Sequence, residues 1–291
     1  LAALLIGLLH LHRFRWLMTW MRRFTIKAGS HALIPKLKLL IAFYQSAVAI
    51  PRVYDVALPP EYYQWMRLIT VFDINWDFLV VPGACLPGGF RSRLLLRGLA
   101  PLAVMLCGGA LRLLYVLGRD VLRGVGVRRC VRHVLDVLPV TLFVLFCFCG
   151  TVSKGIFATW SCLPVEDGRE NRTTRRFLLA DLAIECDPYP DEAYLSITTT
   201  ASVFVFVWPI GVPLLFLVVL LPIRRYLLQK RSTRLVQTTA FLHREYKPAY
   251  FFWESIFLAQ RLAITGFVEY MPRDFNRLQT GLLLTILYTL L

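Results

Sequence analysis

ASVFVFVWPIGVPLLFLVVLLP, residues 201–222, decides the fold. It carries no charged side chain, and with Ile197–Thr200 before it the run exceeds the roughly 20 residues that cross a bilayer as a helix. Inside it lies WPIGVP, Trp208–Pro213. Pro209 and Pro213 are four apart with Gly211 between them. Each proline removes an amide donor and crowds a carbonyl one turn earlier. The spacing predicts a kink or hinge at Pro209, Gly211 and Pro213, with freed carbonyls satisfied by neighbouring helices. A break lining a cavity and a static kink that aids packing both fit this pattern.

A basic linker follows, Arg224–Lys247, and then HREYKPAYFFWESIFLAQRLAITGF, residues 243–267. The last part carries Glu254 and Arg261 back into lipid within an expected crossing from Phe251 to Tyr270. Seven residues separate the two charges. They share a helix face but stand about 10 Å apart along the axis. Arg261 falls near the middle of the bilayer, where a charge costs about 2.5–3.5 kcal/mol on insertion scales. It is therefore expected to face the bundle and find a partner there, as a structural charge lock or as part of a gate.

Composition agrees with a membrane protein. The chain is 57% hydrophobic and only 18% charged, yet its net charge is +15; its mean hydropathy is +0.58. The basic residues sit in blocks between apolar runs. That is the pattern of loops held against anionic lipid, not of a nucleic-acid surface. Both ends of the sequence fall inside apolar runs shorter than a span, so the chain is taken as a fragment of a larger one.

The other segments order themselves around this core. Leu1–Leu9 is the inner end of a span. His10–Lys38 holds seven Lys or Arg and no acid, with Trp16, Trp20 and Phe24 on one face of a short interfacial helix. Leu37–Leu58 is a crossing interrupted by Pro51 and Arg52. Trp65, Met66, Ile69 and Phe72 mark a short amphipathic helix. Asp73, Asn75 and Asp77 resemble alternate metal ligands, but the Gly and distal Glu of a calcium loop are missing, so no metal or other cofactor is expected. Gly98–Gly118 and Asp136–Trp160 are further spans. In the second, Lys154 is expected to snorkel outward, and Cys147 and Cys149 are packing residues. Leu278–Leu291 begins a final span.

Residues 161–195 read as a polar loop with eight acids against four Arg. Asn171-Arg172-Thr173 is a candidate glycosylation sequon, and Cys162 and Cys186 bracket the loop as a candidate disulfide. The three basic segments 10–38, 119–133 and 224–248 together hold nineteen Lys or Arg and two acids. The positive-inside rule makes them cytoplasmic and makes 51–96 and 161–195 exoplasmic. The expected fold is all-α: one polytopic transmembrane helix bundle over residues 1–291 with about seven crossings, the first and last truncated. Arg91, Arg93 and Arg97 run against the charge rule, since they fall at the outer end of the third crossing. The expected setting is the plasma membrane or another secretory-pathway membrane.

Several motifs resemble the membrane module of large protist and algal proteins of the transient-receptor-potential-like type. They are Tyr246-Lys247-Pro248, the aromatic cluster Tyr250–Trp253, Glu254, Gln260-Arg261-Leu262, KLKLLIAFYQ at Lys36–Gln45, VPGACL at Val81–Leu86, LLADLAIEC at Leu178–Cys186 and VWPIGVPLLF at Val207–Phe216. The resemblance touches most of residues 36–270. It implies an ion channel or channel-like sensor, often following a Cys-rich extracellular region. Two alternatives stand beside it: a non-conducting receptor or anchor for such a region, and a solute or lipid transporter using the WPIGVP break. The partners implied are the bilayer, anionic lipid at the basic loops, ions and further copies of the chain; nucleic acid is not among them. No catalytic constellation is present. The five His form no metal pair with acids, and there is neither a phosphate-binding Gly loop nor a serine elbow, so an enzyme is not expected.

Overall fold

The computed structural model describes residues 33–69, 89–121, 128–166, 174–186, 192–271 and 275–290. It divides into two compact units, Leu1–Phe43 and Tyr44–Leu291. The described residues are mostly helical: α1 is Leu33–Tyr54, α2 Pro60–Ile69, α3 Gly89–Val121 and α4 Arg128–Phe157. After a small sheet come α5 Glu192–Val205, α6 Gly211–Leu220, α7 Arg224–Leu228, α8 Arg234–Thr238, α9 Ala240–His243, α10 Trp253–Thr265 and α11 Phe275–Leu290.

Among the described residues three helical runs are long and apolar enough to cross a membrane: Gly89–Leu111, Val137–Trp160 and Glu192–Leu228. The second is the most enclosed, with two-thirds of its apolar window buried. It therefore forms the centre of the larger unit. The third is continuous over 37 residues because the chain does not break at WPIGVP. Phe206–Ile210 instead widens into a π turn, and α6 resumes at Gly211. A π turn absorbs a proline whose ring does not fit an ordinary helical turn. Gly211 makes it possible, since a Cβ there would lie 2.7 Å from the Phe206 carbonyl oxygen.

The expected crossing at Phe251–Tyr270 is shorter than anticipated. α10 spans 13 residues and stops at Gly266, and a 3₁₀ turn covers Phe267–Tyr270. The Phe157 ring of α4 occupies the place where a side chain at 266 would go. That close approach ends the helix and binds it to α4. At the same end, Tyr270 meets Phe157 and Trp160 through ring contacts with centroids 5.5 and 4.9 Å apart.

The polar loop of the sequence reading is largely a sheet, so the fold is not purely helical. β1 (Cys162–Glu166), β2 (Thr174–Leu178) and β3 (Asp181–Glu185) run antiparallel in that order. Short polar strands escape a hydropathy reading, because strand pairing alone satisfies their backbone. Cys162 and Cys186 are disulfide-bonded, with Cα atoms 6.5 Å apart. Leu178 is fully buried under the sheet. Arg93 of α3 donates to the Asp181 carboxylate at 3.0 Å, so the first turns of α3 and the sheet share one end of the bundle. Asn171, Asp73, Asn75, Asp77, Cys85 and the basic segment up to residue 32 lie outside the described residues.

Candidate intramembrane charge site

The central helix α4 lines the site with Phe146, Cys147, Cys149 and Gly150, all within its apolar middle. Opposite stands α10, whose buried face carries Glu254, Ser255, Leu258, Arg261, Leu262 and Thr265. That face combines i, i+3, i+4 and i+7 spacing, which is why two charges and their neighbours all point inward. Glu254 is fully buried and Arg261 is 3% exposed.

Their partners differ. Glu254 accepts a hydrogen bond from the Tyr246 hydroxyl at 3.1 Å. Tyr246 belongs to the linker before α10, so the linker is tied to the buried carboxylate. Burial, and then the Glu254 charge, push the Tyr246 phenol above its ordinary range and keep it a donor. Arg261 sets its guanidinium over the Phe146 ring, 5.0 Å from the centroid. Among the described residues no hydrogen bond reaches its Nε, Nη1 or Nη2. A desolvated cation–π contact contributes about 2 kcal/mol. Each buried donor left unmet costs about 1–3 kcal/mol. The ring therefore does not offset the cost of burying this charge.

The linker reaches Phe146 as well. Phe241 of α9 packs edge-on against Phe143 and Phe146, both centroids at 5.6 Å. Phe146 thus lies between the linker and Arg261. His243 nearby touches the Val236 carbonyl through Nε2 at 3.1 Å, and burial pulls its pKa below the ordinary value.

Gln45 of α1 enters from another direction. Its Nε2 donates to the Cys147 carbonyl at 2.9 Å, while its Oε1 is buried and meets no hydrogen-bond donor among the described residues. A Cβ added at Gly150 would lie 2.9 Å from that oxygen and 3.4 Å from Arg261 Nη2. The bare backbone of Gly150 is what lets the two polar groups converge there. Lys154, one turn on, does not snorkel outward as the sequence suggests. Its Nζ donates to the Gln45 carbonyl at 2.7 Å, which ties the ammonium to α1.

The π turn joins the same core. Trp208 is fully buried and its indole donates to the Gly98 carbonyl at 3.1 Å. Its own carbonyl receives the Cys149 thiol at 3.6 Å. Pro209 and Pro213 thus serve a helix junction of α3, α4 and α5–α6. Cys147 and Cys149 are free and buried.

Sequence reasoning singled out Glu254 and Arg261 but missed Gln45, Gly150 and Arg277. The lone amide in KLKLLIAFYQSAVAI was the available signal for Gln45. Arg277 of α11 is buried and donates to the carbonyls of Val53, Glu269 and Met271, the first two at 2.6 and 3.1 Å. It satisfies carbonyls at two helix ends that otherwise lack donors. No metal-ligating cluster of His, Cys, Asp or Glu occurs among the described residues.

No protein-family model matches the chain, and neither a curated protein nor a solved structure is similar to it.

Proposed function

We propose that this chain is the membrane module of a transient-receptor-potential-like channel or channel-like sensor. In this reading α1, α10 and α11 join the three apolar runs, which makes six of the about seven crossings expected of the bundle. The linker and the other basic segments face the cytoplasm, and the sheet faces the exoplasm. The observation that carries the proposal is Arg261, a buried cation on a short helix with no hydrogen-bond partner among the described residues. A purely structural charge would be expected to sit in a saturated network. This one is contacted through Phe146 by Phe241 of the linker, and its neighbour Glu254 is held by Tyr246. Movement of the linker has a direct route to the intramembrane charges.

The test is ionic current through purified protein in planar bilayers, with Arg261→Leu alongside. The expected outcome is current that the substitution changes at least tenfold, about 1.4 kcal/mol of barrier. Arg261→Leu is expected to fold as well as the parent, since it removes a poorly satisfied buried charge. Identical currents from both proteins would sink the gate.

A second reading, a non-conducting receptor or anchor, is favoured by one feature: the disulfide-closed sheet fixed to α3 through Arg93 and Asp181. Such a cap suits transmission of force from an extracellular domain. Absence of current under voltage, stretch and calcium would favour it.

A further inference from the structure

We propose that the cavity between the first turns of α3 and the β2–β3 turn binds the phosphodiester of a membrane glycerophospholipid. The inference goes beyond the proposed function. It needs the chain to lie in a bilayer, but neither conduction nor a particular side for the sheet. The cavity measures about 360 Å³, within the roughly 300–1,000 Å³ of small-molecule sites. Phe90, Arg93 and Arg97 of α3 line it with Leu179 and Ala180 of the turn, and among the described residues no acid does. Arg93 and Arg97 are four apart on one helix, so both side chains stand on the same side. Arg93 uses one nitrogen, Nη2, on Asp181 at 3.0 Å. A guanidinium has five N–H donors in one plane, so Arg93 can meet a phosphate oxygen without breaking that pair. Arg97 lies along α4 at Gly155, where a Cβ would come within 3.2 Å of its Cδ and 3.3 Å of its Nη1. The bare backbone of Gly155 gives that side chain its room.

Depth selects the ligand. α3 has 33 residues and is about 50 Å long, against a hydrocarbon core of about 30 Å. Its membrane-length run begins at Gly89, so its first two turns have the length to stand in the headgroup layer. The anion most abundant at that depth is lipid phosphate. Guanidinium is the side chain that meets it with two parallel hydrogen bonds. A phosphate partner also accounts for arginines that run against the charge rule. Net charge agrees. Asp181 offsets one arginine of the cavity, and the single positive charge left matches the single negative charge of a phosphodiester. Shape agrees as well. Phe90 and Leu179 give the cavity apolar walls for the glycerol carbons. Val104, seven residues beyond Arg97 and so on the same helix face, is exposed, as is Leu106. An acyl chain running down α3 from the cavity would cover them.

The test is native mass spectrometry of the whole chain in maltoside detergent, with dioleoyl phosphatidylglycerol or uncharged dioleoylglycerol added. The parent is expected to retain the first and not the second. Arg97→Gln should weaken retention at least about tenfold, since it removes charge-assisted hydrogen bonds. Asp181→Asn should strengthen it roughly two- to fivefold, because Arg93 is released and a repelling charge is gone. A merely structural Arg93–Asp181 pair predicts the opposite sign. The pair is partly exposed and contributes little to folding, so Asp181→Asn decides the matter even if Arg97→Gln does not fold. Arg231→Gln, on the exposed linker, is the control for lipid held there and should leave retention unchanged. Retention undiminished in Arg97→Gln, or not raised in Asp181→Asn, would overturn the proposal. So would complete displacement of the lipid by inorganic phosphate, which would make the cavity a site for a soluble anion. Planar-bilayer recording separates this inference from the proposed function. Retained lipid without current keeps the site and removes the channel, and current without retained lipid does the reverse.

Discussion

The C-terminal end of α4 and its middle hold charge in opposite ways. Beyond its C-terminal end, next to the sheet, charge is balanced: Arg93 meets Asp181 and Arg175 meets Glu185, each pair partly exposed. A disulfide closes the same region. In the apolar middle of α4, Arg261 is enclosed by a ring, two thiols and an amide oxygen, with its carboxylate neighbour two turns away. Solvent makes the first arrangement cheap and energetically minor. Enclosure makes the second costly and therefore informative. Charges that only hold structure are expected to be solvated and paired like the first, or met by carbonyls as Arg277 is.

Severing the disulfide tests the contrast most strongly. It closes a separation of 24 residues, for which loop-closure entropy gives about 3 kcal/mol. Cys162→Ser with Cys186→Ser should lose that much stability in the sheet, read as faster hydrogen exchange in β2 and β3. Exchange in α10 should not change. Equal loosening of α10 would mean that the two regions are one cooperative unit.

The Tyr246–Glu254 contact should come next. Tyr246→Phe removes a hydrogen bond to a buried carboxylate, a loss of about 2 kcal/mol. It also has a pH signature. The phenol pKa is raised from 10.0, first by burial and then by Glu254. A raised folded-state pKa gives stability that is complete below about pH 10 and is lost as pH climbs above it. Thermal melts from about pH 8 to about pH 11 should therefore show an alkaline decline in the parent that flattens in Tyr246→Phe. An identical decline in both would assign it to another group.

The parts legible in the sequence were those with a one-dimensional signal. Long apolar runs gave the three membrane-length helices, and Cys162 and Cys186 bracketing an acid-rich segment gave the disulfide. Arg261 stood out because a charge in hydrocarbon has no bland explanation of low cost. The rest depended on proximity between distant segments. Nothing near Gly266 foretold that Phe157 would end α10. Pro209 and Pro213 announced a disturbance, but its form, a π turn whose Trp208 indole donates to the Gly98 carbonyl and whose Trp208 carbonyl accepts from the Cys149 thiol, depended on segments far away in the sequence. The site was half legible: its charges could be named, while Gln45 and Gly150, 105 positions apart in the numbering, could not be paired.

The smallest expected effect sharpens the contrast from the other side. Arg93 and Asp181 are joined at 3.0 Å, yet their side chains keep 30% and 21% of their exposure. Water already solvates both groups, so the pair contributes no more than about 0.2–1 kcal/mol. Arg93→Ala should lower Tm by a degree or two and should do so less in high salt, since screening weakens the parent's pair. A double-mutant cycle with Asp181→Ala isolates the coupling from whatever the arginine stem contributes by itself. Coupling well above about 1 kcal/mol would mean that the sheet is locked to α3 more firmly than its exposure implies. The sheet would then be a rigid lever on the bundle, and the receptor reading would gain what the channel reading lost.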